Sequence, residues 1–344
     1  MEKQQIKELI IEHKERFLGR RDLVRREVQA EVARYLLQRE IIVVTGIRRS
    51  GKSSLLRLIC EDLMTRGSAA ASPATAAPSA PSAPACPADD PPTGASLTPV
   101  LPANILYLNF DDERFLSFTA QDFAPLYETF LELENPQGRR YLFLDEIQRI
   151  PGWERWLSRL YEFEDIRIFV TGSNAAILSP EVATTLTGRH RQITVWPFSF
   201  REFLTLRGVP AAGLDLTREL YLPETKAEIR RLFADYVEIG GFPEVVRTGD
   251  ATLLEQYWRD ILYRDVIARH GIKNIREIKE LSLFLAAHPG SVQSYRNLGN
   301  LIGKGYTVKS ALQSMNQIAE GYYACDSIYF TAKEKNVNAP IIES

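Results

Sequence analysis

From residue 3 to about 39, apolar residues recur three and four apart among many charges: Ile6, Leu9, Ile10, then Val28, Val32 and Leu36. That spacing predicts helices. The period then changes. IIVVT at 41–45 is a β-branched run without polar alternation, as in a strand covered on both faces. It passes through a glycine-bounded turn into the helical KSSLLRLICEDLM. ILYLNF (105–110), YLFLDE (141–146) and IRIFVTGS (166–173) predict further strands, the last two separated by the helical WERWLSRLYEF. Strands alternating with helices require crossover connections, hence a parallel sheet with helices on both faces. After about residue 198 the period is helical: FSFREFLTLRG, KAEIRRLFADYVEIGG and LLEQYWRDILYRDVIARHG. A trio of short helices follows from about Ile275 to Ile318, and GYYACDSIYF then has strand composition.

Composition changes this picture in one place. Residues 67–104 are almost all Ala, Pro, Ser and Thr, too little apolar surface to offset the entropy of ordering, so a disordered insertion is expected. Elsewhere the 344 residues are ordinary: 45% hydrophobic, 25% charged, net charge −2. That balance does not announce a nucleic-acid binder, although a local basic patch could hide within it. The charged start MEKQQIKELI has no apolar core, so no secretory signal is expected, nor does any apolar run reach membrane-spanning length. Cys60, Cys86 and Cys325 are scattered and fit neither a disulfide framework nor a zinc site, which implies a reducing, cytoplasmic setting.

Gly46-Ile47-Arg48-Arg49-Ser50-Gly51-Lys52-Ser53 fits G-x-x-x-x-G-K-[ST]. Its glycines let the backbone curl so that N–H groups converge on phosphate oxygens, at the positive end of the helix that opens with Lys52, Ser53 and Ser54. Lys52 then neutralises the β and γ phosphates and the Ser53 hydroxyl ligates Mg²⁺. The motif lies between a predicted strand and a predicted helix, as its chemistry demands.

YLFLDE ends a buried strand on Asp145 and Glu146, at the carboxyl end where α/β sheets place ligands. Asp145 is the candidate Mg²⁺ holder, directly or through water. Glu146 is the candidate base that polarises an attacking water. The next strand ends in VTGSN, where Ser173 or Asn174 could sense the γ-phosphate or simply cap a helix. No N-K-x-D tetrad of the guanine-specific kind is present, so ATP is the expected nucleotide.

These residues resemble the AAA+ ATPases and their signal-transduction relatives. GIRRSGKSSLL, NFDDERF, YLFLDEIQRIPGWERWLSRL, VTGSNAAIL, LTGRHRQITVWPFSFREFL and GGFPEVV are similar, in that order, to a prokaryotic ATP-binding AAA+ family of poorly defined role. The resemblance implies a P-loop core (40–205) after N-terminal helices (1–39), a helical lid (206–270) and a winged-helix-like region (271–344). It makes Arg189 a candidate arginine finger or sensor, the alternative being a surface arginine. Gly241-Phe242-Pro243 is similar to the G-x-P element that sets a lid beside the nucleotide, though a helix-ending turn fits as well. FLGRRDLV (17–24) is similar to the segment that meets the adenine. Asp111 and Asp112 stand near the expected Mg²⁺ shell, but capping explains them equally. Family members usually continue into a restriction-endonuclease-like domain; this sequence stops at Ser344, and nuclease activity is not expected.

SYRNLGNLIGKGYTVKSALQSMNQI reads as helix, turn, helix, exposing Lys309, Ser310, Gln313 and Gln317. It fits DNA contact or a protein-docking module equally well. Three functions remain: an ATPase that moves its lid, an ATP-gated switch of little turnover with a protein partner or a second copy, and a DNA-binding regulator.

Overall fold

The computed structural model describes residues 1–36, 38–65, 99–172, 185–209, 223–268 and 274–287. After α1 (Lys3–Gly19) and α2 (Gln29–Tyr35) the chain enters β1 (Ile41–Thr45), then α3 (Lys52–Thr65). β2 (Ile105–Asn109), α4 (Phe123–Glu134), β3 (Arg140–Asp145), α5 (Trp153–Phe163), β4 (Ile166–Thr171) and β5 (His190–Thr194) follow. The strands form one parallel sheet in the order β2-β3-β4-β1-β5. β4 therefore lies between β1 and β3, and the carboxyl ends of all three meet along one edge.

Alternation of side chains splits the interior in two. Leu106, Leu108, Leu142 and Leu144 face α4 and α5, where Phe123 stacks on Trp156 at 4.3 Å. Tyr107, Phe143 and Phe169 face the other way, against Leu55, Leu56 and Ile59 of α3 and Val32 of α2. Each fully buried large side chain contributes roughly 1.5–3 kcal/mol. α1 joins both cores: Ile6, Leu9 and Ile10 enter the first and Phe17 the second. It thereby covers edge strand β2, whose unpaired backbone would otherwise invite another strand.

Beyond the sheet, α6 (Phe200–Leu206) opens with a capping box in which the Ser199 hydroxyl accepts from the Glu202 amide. α7 (Pro223–Ile239) packs on it through Ile229, Leu232 and Tyr236. α8 (Pro243–Thr248), α9 (Thr252–Asp260) and a π-helical stretch, Ile261–Ala268, come next, then α10 (Ile275–Ala287). The helix-turn-helix reading lies outside the described residues.

Two sequence expectations need amendment. β5 did not read as a strand, because only Ile193 of its residues is buried while Arg191 and Gln192 are exposed on the sheet's edge. The Ala/Pro segment, read as 67–104, overreaches at its end. Val100 is buried in the α3 core and its amide donates to Leu63 O at 3.2 Å, and Asn104 donates to the carbonyls of Gln137 and Arg139.

Candidate nucleotide-binding site

The loop from Gly46 to Gly51 joins β1 to α3 at the carboxyl edge of the sheet. Gly46 has φ +141°, and a Cβ there would lie 2.2 Å from Val195 O, so only glycine fits. Gly51 favours glycine through its backbone, at φ +100°, while a Cβ there would crowd only the end of the Arg26 side chain, Nη1 at 2.9 Å. Lys52 is buried and donates to Gly46 O at 3.2 Å and Ile47 O at 3.1 Å; its ammonium stands 3.8 Å from Glu146 Oε1. Ser50 Oγ is buried with no hydrogen-bond partner among the described residues. Ser53 and Ser54 are half-buried in the first turn of α3.

The carboxylates come from the end of β3. Asp145 is 1% exposed, and both its oxygens accept from hydroxyls of the flanking strands, Tyr107 Oη at 3.0 Å and Thr171 Oγ1. Glu146 adopts the left-handed conformation (φ 54°, ψ 37°), a sparsely populated region for a side-chain-bearing residue. This breaks the strand alternation and brings its carboxylate beside Lys52. The Glu146 amide donates to Thr171 Oγ1 at 2.9 Å, and Gln148 Nε2 donates to Glu146 Oε2 at 2.6 Å. Burial first, then the Asp145 charge, pushes the Tyr107 hydroxyl well above the usual tyrosine range, so it remains a donor.

The surroundings close over the loop. Arg26 is buried and donates to Ser50 O at 3.0 Å and to Trp196 O, pairs with Glu202 at 3.0 Å, and lies over the Phe198 ring. It ties the segment after α1 to the loop and to α6. Ile47 joins the apolar cluster of Phe242, Val245 and Tyr257; Arg49, at φ 67°, lies 4.3 Å over the Tyr257 ring and 3.8 Å from Asp260. Arg48 is half-buried in the same loop. Gly241 packs against Phe198, where a Cβ would lie 2.3 Å from its carbonyl oxygen, and so delivers Pro243 to the loop.

Other expected residues lie elsewhere. Arg189 precedes β5 at the amino end of the strands: its carbonyl accepts from the Ile41 amide, and its side chain pairs with Glu162 at 2.6 Å and donates to Ser158 Oγ. The five residues of β5 separate it from the cradle edge, about 17 Å of strand. Arg189 therefore does not reach the cradle of its own chain. Asp112 caps a short turn and binds His13 and Arg114, while Asp111 pairs with Arg149, so the capping reading of Asp112 holds. Ser173 and Asn174 lie outside the described residues. Tyr107, Thr171 and Arg26 were not singled out from sequence. Only the β2–β3 register, which pairs Tyr107 with Phe143, places Tyr107 on the same face as Asp145.

The site suits a nucleotide phosphate group. Its buried ammonium is held by two neutral carbonyls with the Glu146 carboxylate 3.8 Å away, its Ser50 hydroxyl lacks a partner among the described residues, and Gly46 leaves no room for a Cβ. Among the described residues no cluster of three or more His, Cys, Asp or Glu could hold a metal by itself. Ser53 and Asp145 are the residues that would hold Mg²⁺, which takes one or two protein groups and otherwise phosphates and water.

Residues 95–204 match the AAA_14 family, described as an AAA domain, and residues 230–320 match DUF8612, a domain of unknown function. The first match covers β2 to β5 with Asp145 and Glu146, and the cradle precedes it at the end of β1 in the same sheet. In that region the chain has the AAA+ P-loop fold, residues 95–204 being similar to the AAA domain family. It is 32% identical over 203 residues to the uncharacterized protein MJ1544 of Methanocaldococcus jannaschii, covering 58% of this chain and 44% of the other. It is 30% identical over 266 residues to an uncharacterized protein of Haemophilus influenzae, covering 76% of this chain and 55% of the other. The chain thus spans about half the length of these relatives. A 44-residue stretch is 50% identical to glycerol-3-phosphate dehydrogenase of Staphylococcus carnosus, 13% of each chain and too little for a dehydrogenase domain. Among solved structures, ORC1 of Aeropyrum pernix in complex with DNA is 14% identical, with a TM-score of 0.35 over 89% of this chain and 86% of that one. CDC6P of Pyrobaculum aerophilum gives 16% and 0.33 over 94% and 90%. Among the described residues no helix is long and apolar enough to cross a membrane.

Proposed function

We propose that this chain binds ATP with Mg²⁺ at the cradle and hydrolyses it, and that occupancy of the cradle moves the helices from α6 onward as a lid. The observation that carries this reading is the meeting of Lys52 and Glu146, ammonium and carboxylate 3.8 Å apart, beside the buried Asp145. The loop amides from Gly46 to Lys52 cradle the phosphates. Lys52 transfers its hydrogen bonds from the loop carbonyls to phosphate oxygens and counters their charge. Ser53 and Asp145 would hold Mg²⁺, which supplies charge neutralisation for phosphoryl transfer. Glu146, freed from Lys52, orients the attacking water and takes up its proton. Ser173 or Asn174 serves as sensor of the γ-phosphate, and Arg189 serves as a finger only in trans, in the site of a second copy. A cytoplasmic setting fits Cys60, a free and buried thiol that burial pushes up to about 12.

One observation favours the switch as a second reading. Glu146 is engaged by both Lys52 and Gln148, and a base so held turns over slowly until a partner releases it. DNA contact through 271–344 is a further partner hypothesis, tested by a salt-dependent gel shift; absence of binding at low salt removes it.

Steady-state hydrolysis of ATP with Mg²⁺ by the purified chain, beside Glu146→Gln, separates these readings. The ATPase predicts turnover that the substitution lowers by at least about a hundredfold with binding retained, as for loss of a general base. Tight binding without turnover in either protein selects the switch. Absence of ATP binding by calorimetry overturns both.

A further inference from the structure

The carboxylate of Asp145 is gripped from both sides of its strand. Thr171, ending β4, donates to one oxygen and Tyr107, within β2, donates to the other at 3.0 Å. The terminal torsion of an aspartate is broad and nearly two-fold, so a single donor leaves the carboxylate plane free to turn. Two donors on opposite oxygens fix it. Thr171 is itself committed, since its hydroxyl also accepts from the Glu146 amide. Tyr107 has an independent support: its ring stacks on Phe17 of α1, centroids 3.9 Å apart and planes 7° from parallel, with Phe17 fully buried.

We propose that Tyr107 is the positioning residue for the metal carboxylate: its hydroxyl sets the plane in which Asp145 meets Mg²⁺, and the Phe17 ring behind it makes α1 part of that setting. The inference rests on the Mg²⁺–ATP reading above. Mg²⁺ demands near-ideal octahedral geometry, so a carboxylate turned out of its plane binds it poorly even though both oxygens remain. Partners in this outer position are typically worth 10–100-fold in metal affinity. A tyrosine serves here because a strand-borne aromatic ring is rigid and long enough to reach from the neighbouring strand, while its face contributes to the core.

Binding of a fluorescent ATP analogue, titrated with Mg²⁺ and also measured in EDTA, tests this without recourse to turnover. For Tyr107→Phe, which keeps the ring stack, we expect about a tenfold rise in the Mg²⁺ concentration for half-maximal enhancement of binding, with affinity in EDTA unchanged. In an Asp145→Asn background the same substitution should add nothing, as a double-mutant cycle requires of two groups acting as one. A Mg²⁺ requirement equal to wild type, additive effects in the cycle, or an equal loss in EDTA would each overturn the assignment while leaving the ATP reading intact. A wild-type chain whose nucleotide binding ignores Mg²⁺ overturns the metal reading and Tyr107's role with it.

Discussion

Gly46 has no room for a methyl group, and that constraint can be measured. Gly46→Ala places a Cβ 2.2 Å from Val195 O at φ +141°. The loop must shift or strand β5 must move away, and we expect a loss of about 2 kcal/mol or more by denaturant unfolding, together with loss of nucleotide binding. An unchanged midpoint would show that the loop does not pack on Val195. Residues of this site whose partners are near in sequence were legible beforehand. The cradle is one contiguous octapeptide, and Asp145 with Glu146 ends an apolar run whose direction fixes which edge they occupy. Tyr107, Thr171 and Arg26 were not, because their roles exist only once distant segments meet: Tyr107 lies 38 positions from Asp145, and Arg26 lies 170 from Trp196. Arg189 illustrates the reverse limit. A motif assigns chemistry, but only the parallel register of β5 on β1 shows that the arginine stands at the wrong end of the sheet for its own cradle.

Among the elements, β1 to β4 were readable because strands buried on both faces must be apolar throughout. β5 escaped because an edge strand keeps one side in water. α1 and α2 were readable as helices from their spacing, but not their destination. His13 shows what holds α1 to the sheet. Its Nδ1 accepts from the Asn109 amide at 3.2 Å, so Nε2–H of the neutral ring donates to Asp112 at 3.0 Å. Arg114 braces Asp112 and reaches Glu12 on α1. Burial holds the His13 pKa below its ordinary value against the opposing pull of Asp112. The unfolded chain therefore takes up this proton first, and the stability it confers is present above about pH 6.5 and declines as pH falls toward the folded value. The depressed Asp112, held mainly by its hydrogen bond to Arg114, contributes in the same direction at more acidic pH. We expect the melting temperature to fall between pH 7.5 and 5.5, and to fall less in His13→Gln, which can keep both hydrogen bonds without titrating. Parallel slopes in the two proteins would assign the acid sensitivity elsewhere.

Across the whole molecule, the chain leaves α3 and returns at nearly one point, since the Val100 amide donates to Leu63 O at 3.2 Å. Replacing residues 68–97 by a short glycine-serine linker should therefore leave ATP affinity unchanged. It should move the melting temperature by no more than about 3 °C, the effect of roughly 1 kcal/mol in a domain of this size. A larger fall would mean that the replaced residues pack on the sheet. Composition alone suggested this segment, which lies outside the described residues up to 98, but its far boundary depended on Val100 and Asn104, whose partners are long-range. The contact of Ile47 and Arg49 with Phe242 and Tyr257 has a thermodynamic corollary. If filling the cradle shifts those helices, linkage requires that any molecule gripping the helices alter ATP affinity by the same factor. A change in the chain's affinity for ATP, read in the presence of fractionated partners, would then serve as a balance on which an effector of the helices can be weighed before its identity is known.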